Sequence, residues 1–275
     1  MLSPVRKYWK LLRLVLLSAP RLLFDYFTWI LPYSNHPEKV PLEKRYAKGR
    51  SLVLHILKHC RFDVHRSGTI VREGVQLYCS NHVSAIDPLL LIALSEKPVS
   101  FIAKLEARKL PFAGRFIRAI DGLFLDREDP FQAVKVFRAA KKKMEEESLS
   151  YAVFPEGTRE KKPYEGKPLP LHPGSFKLAQ MAKCPITVYA QFGSFHFSDE
   201  TKGRRFLITL KELRRYDTAD VLALKTTDLA EQTEAMFASA LPELIALDRS
   251  YFEQGSNKLK APKWWEPTEG DTPNA

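Results

Sequence analysis

The chain has 275 residues, 45% of them hydrophobic and 27% charged, which is ordinary for a globular protein with a substantial core. Its three cysteines, Cys60, Cys79 and Cys184, are too few and too scattered for a disulfide framework or a zinc site, so buried free thiols in a reducing compartment are expected. A formal net charge of +11 indicates an anionic partner: nucleic acid, an anionic lipid surface or a phosphorylated substrate.

Residues 1–32 differ in composition from the rest of the chain, because basic residues are interleaved with apolar and aromatic ones. A transmembrane helix over residues 14–32 would be long enough, but Arg21 and Asp25 lie near its centre and Pro20 is expected to break it. Each central charge costs roughly 2.5 to 3.5 kcal/mol, which the apolar residues barely offset. A cleaved signal peptide is disfavoured because no small-x-small site follows the apolar run.

We therefore favour an interfacial amphipathic helix or helical pair in this segment, with a helix simply packed on the core as the alternative. The apolar anchors would be Trp9, Phe24, Phe27 and Trp29. Because the basic residues concentrate here rather than on a recognisable nucleic-acid module, no nucleic-acid partner is expected. Residues 1–50 are thus predicted to form an N-terminal membrane-anchoring segment and linker.

Strand-like and helix-like patterns alternate from residue 51 to 250, which predicts one α/β domain. The polar, proline-bearing residues 33–50 predict the linker before it, and residues 251–275 predict a polar tail. Strands are predicted at 62–65, 69–71, 75–80, 98–103, 122–125, 151–154, 185–191 and 205–210. Helices are predicted at 51–58, 89–94, 112–120, 130–147, 174–182 and 225–247, the last with a break at Pro242.

One stretch, residues 81–88, follows a strand and opens a helix, which is where α/β folds place their chemistry. His82 and Asp87 lie five residues apart in it. A neutral imidazole acts as a general base when a carboxylate fixes its tautomer and stabilises its cation, so the two residues are a candidate pair. Taken alone, the spacing also fits chance, with Asp87 serving as a helix cap.

A second polar stretch, residues 154–159, follows the strand predicted before it. Glu156 supplies a carboxylate and Thr158 a hydroxyl, while Arg159 offers a planar fork that matches a phosphate or carboxylate. Alone, this stretch also fits a surface turn with a salt-bridged pair. Basic groups follow two further predicted strands, namely Lys104 and Arg127. Together they suggest an anionic substrate held beside a general base.

Three motifs in chain order now carry a resemblance: Asn-His-x4-Asp at 81–87, Gly-x-Phe-Leu-x-Arg at 122–127 and Phe-Pro-Glu-Gly-Thr-Arg at 154–159. They resemble the glycerolipid acyltransferases, specifically the bacterial 1-acyl-glycerol-3-phosphate acyltransferase family. The resemblance covers residues 62–192, and the ordered set is highly specific where each motif alone is weak. It implies a mixed sheet flanked by helices, with an N-terminal membrane-associated helical segment.

The resemblance also implies a reaction: acyl transfer from an acyl thioester, either acyl-CoA or acyl-carrier protein, to the sn-2 hydroxyl of 1-acyl-glycerol-3-phosphate, giving phosphatidic acid. His82 would be the general base and Asp87 would orient it. The residues implied to bind substrate are Lys104, Arg127, Glu156, Gly157, Thr158 and Arg159. No metal or bound cofactor is implied, and the enzyme would sit on the anionic cytoplasmic face of the cell membrane.

Two alternatives stay open at this point. Val188 stands where the family usually carries a second proline in its fourth motif, so another lysophospholipid or a lyso-aminolipid is an alternative acceptor. The strongly basic composition also fits a non-catalytic protein that binds anionic membranes.

Overall fold

Seven strands form one sheet within residues 5–60, 62–68, 74–126, 129–197 and 205–253, the part of the chain that the computed structural model describes. The strand order is β1-β7-β6-β2-β5-β3-β4, and only the β6–β7 pair is antiparallel. The strands are β1 Phe62–Ser67, β2 Leu77–Ser80, β3 Val99–Lys104, β4 Leu123–Leu125, β5 Ser150–Val153, β6 Ile186–Phe192 and β7 Phe206–Tyr216.

Helices flank this sheet, as the predicted mixed α/β fold requires. They are α1 Val5–Asp25, α2 Leu31–Asn35, α3 Leu42–His59, α4 Asp87–Leu94, α5 Ala113–Ala119, α6 Pro130–Glu147, α7 Lys177–Ala182, α8 Thr218–Ala223 and α9 Thr226–Glu253. A π-helical turn, Tyr26–Ile30, joins α1 to α2. The predicted fold class is therefore confirmed, while the strand predicted at 69–71 and residues 254–275 of the tail lie outside the described residues.

The core lies on both faces of the sheet. Every residue of β2, β5 and β6 is buried, as expected of central strands that helices cover on both sides. Successive residues of β2 face opposite sides: Leu77 and Cys79 pack in the apolar cluster with α6, α7 and α9, and Tyr78 packs in the cluster with α3, α4 and α5. All three cysteines are buried and free, as predicted, while the reducing compartment stays a prediction.

The N-terminal helix α1 has an inverted pattern of burial. Ser18 and Asp25 are buried and Leu22 is half-buried against the core, whereas several large apolar side chains of α1 and the following turn are exposed over 44 to 65% of their surface; these are Leu12, Leu16, Leu17, Leu23, Phe24 and Phe27. Arg21 pairs with Asp25 at 2.5 Å and reaches Ser51 on α3, so charged groups hold the inner face. Two of the predicted anchors, Phe24 and Phe27, are thus exposed.

Trp29 does not fit the anchor prediction, because it is 1% exposed and packs against Phe116. The π-helical turn rotates this part of the chain, so that Trp29 and Ile30 face the core directly after the exposed Phe27. The side chain of Trp9 lies outside the described residues. Within the described part of the chain, no helix has the length and apolar character needed to cross a membrane.

The linker predicted over residues 33–50 is wrong, because α3 begins at Leu42 and crosses the predicted boundary at residue 50 without interruption. Its buried Arg45 is fully engaged: Nε donates to Val40 O at 2.8 Å, and the other nitrogens donate to Ala119 O and to Asp121. The second half of α3 agrees with the helix predicted at 51–58, but the charge-rich composition concealed its first half, since a buried arginine resembles a surface residue unless its partners are known.

Two predicted helix breaks are also wrong. Helix α1 continues through Pro20, and α9 continues through Pro242. Because proline has no backbone N–H, the carbonyl four residues before it loses its helical hydrogen bond. In this chain the two carbonyls are those of Leu16 and Ala238. Both prolines and both of these preceding residues are exposed, so the carbonyls face outward and the cost is small enough for packing of the inner face to offset.

Candidate active site

The motifs at 81–87 and 154–159 meet because the strands that precede them, β2 and β5, are parallel neighbours. Strand β2 pairs with β5 in a register that sets Cys79 opposite Val153, so His82 and Glu156 each lie three residues beyond a paired position. The backbone N–H of His82 donates to Glu156 Oε2 at 2.9 Å, and the N–H of Glu160 donates to His82 O at 2.8 Å. Glu156 and Glu160 therefore hold the backbone of His82 through its N–H and its carbonyl group, respectively.

His82 and Asp87 form the predicted pair. His82 Nδ1 lies 2.8 Å from Asp87 Oδ2, and because an ionised carboxylate only accepts hydrogen bonds, Nδ1 carries the proton. The other ring nitrogen, Nε2, is then left as the basic atom. The His82 ring stacks on Phe154, with 4.4 Å between the ring centroids, and its side chain is 19% exposed. It is thus oriented but still accessible.

Asp87 opens α4 and is completely buried. Its Oδ2 also accepts hydrogen bonds from the backbone N–H groups of Val83 and Ser84, each at 2.8 Å, and its Oδ1 accepts from the hydroxyl of Ser194. These donors and the helix N-terminus make a buried negative charge tolerable. The local turn thus supplies a fixed carboxylate behind the imidazole.

Glu156 lies beneath the site rather than in it. It is 5% exposed, and burial raises the pKa of its carboxyl to about 7, although hydrogen bonds from the backbone of His82 and Leu169 lower it. The nearby charges of Glu160 and Asp87 raise it further. Glu156 lines neither of the two cavities described below. Its direct part in substrate binding stays a prediction.

A cavity of about 600 Å³ opens at His82 and runs between α3, α4 and α5. Its lining is mostly apolar, with Leu52, Ile92, Phe101 and Phe116 among the contributing side chains. A cavity of this volume and character accommodates a long hydrocarbon chain, and His82 stands at its wall. We refer to it as the apolar cavity.

A second recess, of about 630 Å³, shares lining residues with the apolar cavity and is called the basic cleft; Val83, Pro163 and Phe195 form the apolar part of its lining. It is lined by charged and polar side chains, including Arg159, Lys161 and Lys162, along with Glu160, Glu165, Ser84 and Tyr164. Lys162 pairs with Glu165 at 3.0 Å. Thr158 and Arg159 line both the apolar cavity and the basic cleft, so they stand at the junction.

The remaining predicted binding residues are placed as follows. Gly157 lines the apolar cavity and has φ of +71°, a conformation that favours glycine and closes a turn through its N–H to Phe154 O. Lys104 ends β3 and is exposed at the apolar cavity. Arg127 lies outside the described residues. In the described part of the chain, no cluster of three or more His, Cys, Asp or Glu side chains is arranged to hold a metal ion.

Asn81 holds the turn through hydrogen bonds to Gln191 and lines neither cavity. Its Nδ2 donates to Gln191 O at 2.9 Å, its Oδ1 accepts from the Gln191 N–H at 2.7 Å, and its carbonyl accepts from Gln191 Nε2 at 2.8 Å. Sequence reasoning missed the contributions of Gln191 and Ser194. They lie 110 and 107 residues from their partners, and no local pattern marks them.

The chain thus has a mixed α/β fold with a His–Asp pair at the ends of its strands. The pair lies near an apolar cavity and a basic cleft. The 1-acyl-sn-glycerophosphate (LPA) acyltransferase PlsC from Thermotoga maritima has the same fold, with a TM-score of 0.65 over 87% of this chain and 97% of that chain at 23% identity. Residues 61–190 match the model of the Acyltransferase family. The match lies within residues 51–250, and the bounds of the predicted acyltransferase domain stay a prediction.

Curated relatives agree with this assignment. An uncharacterized acyltransferase of Schizosaccharomyces pombe is 30% identical over 67% of this chain and 66% of its own length. A 1-acyl-sn-glycerol-3-phosphate acyltransferase of Cocos nucifera is 28% identical over 61% of this chain and 54% of its own. The human protein named 1-acyl-sn-glycerol-3-phosphate acyltransferase beta is 29% identical over 66% of this chain and 68% of its own length. The chain thus spans less than two thirds of the first two relatives, and membership of the bacterial branch in particular stays a prediction.

Proposed function

We propose that this protein transfers an acyl group from a thioester to the free sn-2 hydroxyl of 1-acyl-glycerol-3-phosphate and thereby makes phosphatidic acid for phospholipid synthesis. The observation that carries the proposal is the position of His82. Its ring is fixed by the buried Asp87, and it stands at the wall of the apolar cavity beside the residues that border the basic cleft. A lipid substrate with one charged end needs both environments next to the reacting atom.

The proposed reaction begins at Nε2 of His82. This atom removes the proton of the acceptor hydroxyl while the oxygen attacks the thioester carbonyl, and the resulting imidazolium is stabilised by Asp87. The thiolate leaves as the new ester forms, and the proton passes from His82 to the thiolate, which is released as the free thiol. Attack is direct, with no acyl-enzyme, and the acyl thioester, acyl-CoA or acyl-carrier protein, is the only co-substrate, without a bound cofactor.

The acceptor phosphate would bind at the basic cleft. Arg159 offers a planar pair of donors that suits a phosphate, and Lys161 and Lys162 add positive charge around it. We assign the same role to Arg127 from the sequence motif, and a contact with the phosphate or developing oxyanion to Lys104. Thr158 and Gly157 would shape the passage between the headgroup and the chain, which would lie in the apolar cavity.

Both substrates are amphiphiles, so we further propose that the protein works on the cytoplasmic face of the cell membrane as a peripheral or monotopic enzyme. The exposed leucine and phenylalanine side chains of α1 and the following turn support this placement, because a soluble monomer rarely exposes so contiguous an apolar surface. The net charge of +11 would add attraction to anionic lipid.

The test is a direct assay of the full chain with lysophosphatidate in vesicles and either acyl-CoA or acyl-carrier protein as donor. Phosphatidate should form, and His82→Ala should reduce kcat by about 10²- to 10⁴-fold. The matched control is His65→Ala, an exposed histidine on the edge strand β1, which should retain activity. Acylation of a different lysolipid alone would refute the acceptor assignment. Binding to anionic vesicles without any transfer would refute the enzymatic proposal.

A further inference from the structure

The turn after β6 reaches the catalytic pair from the opposite side of the site. Strand β6 ends at Phe192, Gly193 follows, and Ser194 begins a 3₁₀ turn over Ser194–Phe197. Ser194 is completely buried, and its hydroxyl donates a hydrogen bond to Oδ1 of Asp87, 107 residues earlier in the chain. It belongs to none of the three sequence motifs.

The hydrogen bonds to Asp87 are divided unequally between its two oxygens. Oδ2 is held by the local turn, through the imidazole of His82 and the backbone N–H groups of Val83 and Ser84. Oδ1 accepts from Ser194. A carboxylate held at one oxygen can still rotate about its Cβ–Cγ bond, whereas donors at both oxygens fix its plane. The plane of Asp87 sets the direction in which the ring of His82 points.

Ser194 is itself held rigidly. Gly193 has φ of +88°, and a Cβ at this position would lie 2.0 Å from the carbonyl oxygen of Leu207 on β7, so only glycine fits there. On the other side of Ser194, His196 Nε2 lies 3.1 Å from both carboxylate oxygens of Asp248 on α9. The serine hydroxyl therefore has little freedom to follow Asp87 if that carboxylate moves.

We propose that Ser194 is a positioning residue that fixes the plane of the Asp87 carboxylate and thereby aligns His82 with the acceptor hydroxyl. This inference rests on the proposed acyl transfer. The role is specific to the transition state, because the alignment of Nε2 matters when the proton moves and not when either substrate binds. Loss of the hydroxyl should therefore lower kcat and leave the KM of the acceptor unchanged.

The experiment compares kcat and KM of the full chain and its variants, with lysophosphatidate in vesicles and an acyl-CoA. Ser194→Ala should reduce kcat by about 10- to 100-fold, the range for a hydrogen bond to a charged group, with KM changed less than about twofold. Ser194→Cys keeps the volume but offers only a weak S–H donor, so its kcat should fall between those of wild type and Ser194→Ala. Thermal melting verifies that each variant is folded.

Two controls separate positioning from general damage. Ser100→Ala removes another fully buried serine hydroxyl, on β3, that has no hydrogen-bond partner within the described structure, and it should leave kcat unchanged. In an Asp87→Ala background, Ser194→Ala should cause no further loss beyond about twofold, because the residue through which it acts is absent.

An active wild type whose Ser194→Ala variant keeps full kcat would overturn this inference alone. An equal loss in the presence and absence of the Asp87 carboxylate, or a rise in KM that accounts for the whole defect, would overturn it as well. A wild type that transfers no acyl group to any lysolipid would overturn the proposed function, and this inference with it.

Discussion

Glu156→Gln should remove a pH dependence of stability that one buried carboxyl imposes. Burial raises the pKa of Glu156 from an ordinary 4.5 to about 7 in the folded protein. A group with a raised pKa contributes stability that is fully present below pH 4.5, declines as the pH rises through 7, and is lost above it. Glutamine keeps an acceptor for the His82 N–H but does not titrate, so its variant should lack this decline.

The magnitude follows from the two pKa values. A difference of roughly 2.5 units at 1.36 kcal/mol per unit gives about 3 kcal/mol of unfolding free energy, and Glu156 is buried enough for this conversion to hold. For a chain of this size the same free energy corresponds to a shift in Tm of about 6 to 12 °C. The stability of Glu156→Gln relative to wild type should therefore rise by that amount between pH 4.5 and 8.

The assay is urea unfolding of both proteins at several pH values across this range, in matched buffers. The difference between the two unfolding free energies is compared across pH values. Contributions of the other titrating groups cancel in this difference, and a constant effect of the new amide does not change its dependence on pH. Glu165→Gln, at an exposed carboxylate paired with Lys162, is the control and should follow wild type. A difference that stays flat between pH 4.5 and 8 would refute the reasoning.

Two further predictions concern the exposed apolar side chains of α1 and the following turn, and the apolar cavity. Replacing Leu16 and Phe27 by serine should weaken binding to anionic vesicles by at least about tenfold without lowering Tm, since each side chain is more than half exposed; vesicle sedimentation measures this. Leu222→Ser, on α8, is the control, and unchanged binding by the double variant would contradict membrane docking through α1. Ala113→Phe should fill part of the apolar cavity, which Ala113 lines, and shift the ratio of kcat/KM values toward shorter acyl thioesters. An unchanged ratio across a panel of chain lengths would place the acyl chain elsewhere.

The central parallel strands and the His82–Asp87 pair could be predicted because their signals are local. Alternating and apolar runs mark β2 and β5, and five residues of spacing suffice to bring the imidazole to the carboxylate within one turn. The position of Glu156 beside His82 was predictable only in outline. The motif order suggested that they meet, but the parallel β2–β5 register set the Glu156 carboxylate under the backbone of His82.

Other features escaped the sequence because their partners are distant. The first half of α3 was hidden by its charged residues, and the burial of Arg45 is intelligible only with Asp121, 76 residues away, as its partner. The inverted burial of α1 is similar: Asp25 is buried and Phe24 exposed, because Arg21 pairs with Asp25 on the side that faces α3. Hydrophobicity alone would assign these two faces the other way round.

The α/β alternation, the order of the motifs and the closeness of His82 to Asp87 could be predicted without coordinates, since each depends on residues that are near one another in the chain. The tertiary structure, by contrast, was needed to show that an apolar cavity and a basic cleft adjoin, with Thr158 and Arg159 at their junction. It also decided that Ser194 completes the environment of Asp87. The physical reason is that contacts across a hundred residues depend on how strands pair and helices pack, and local spacing carries no record of that pairing.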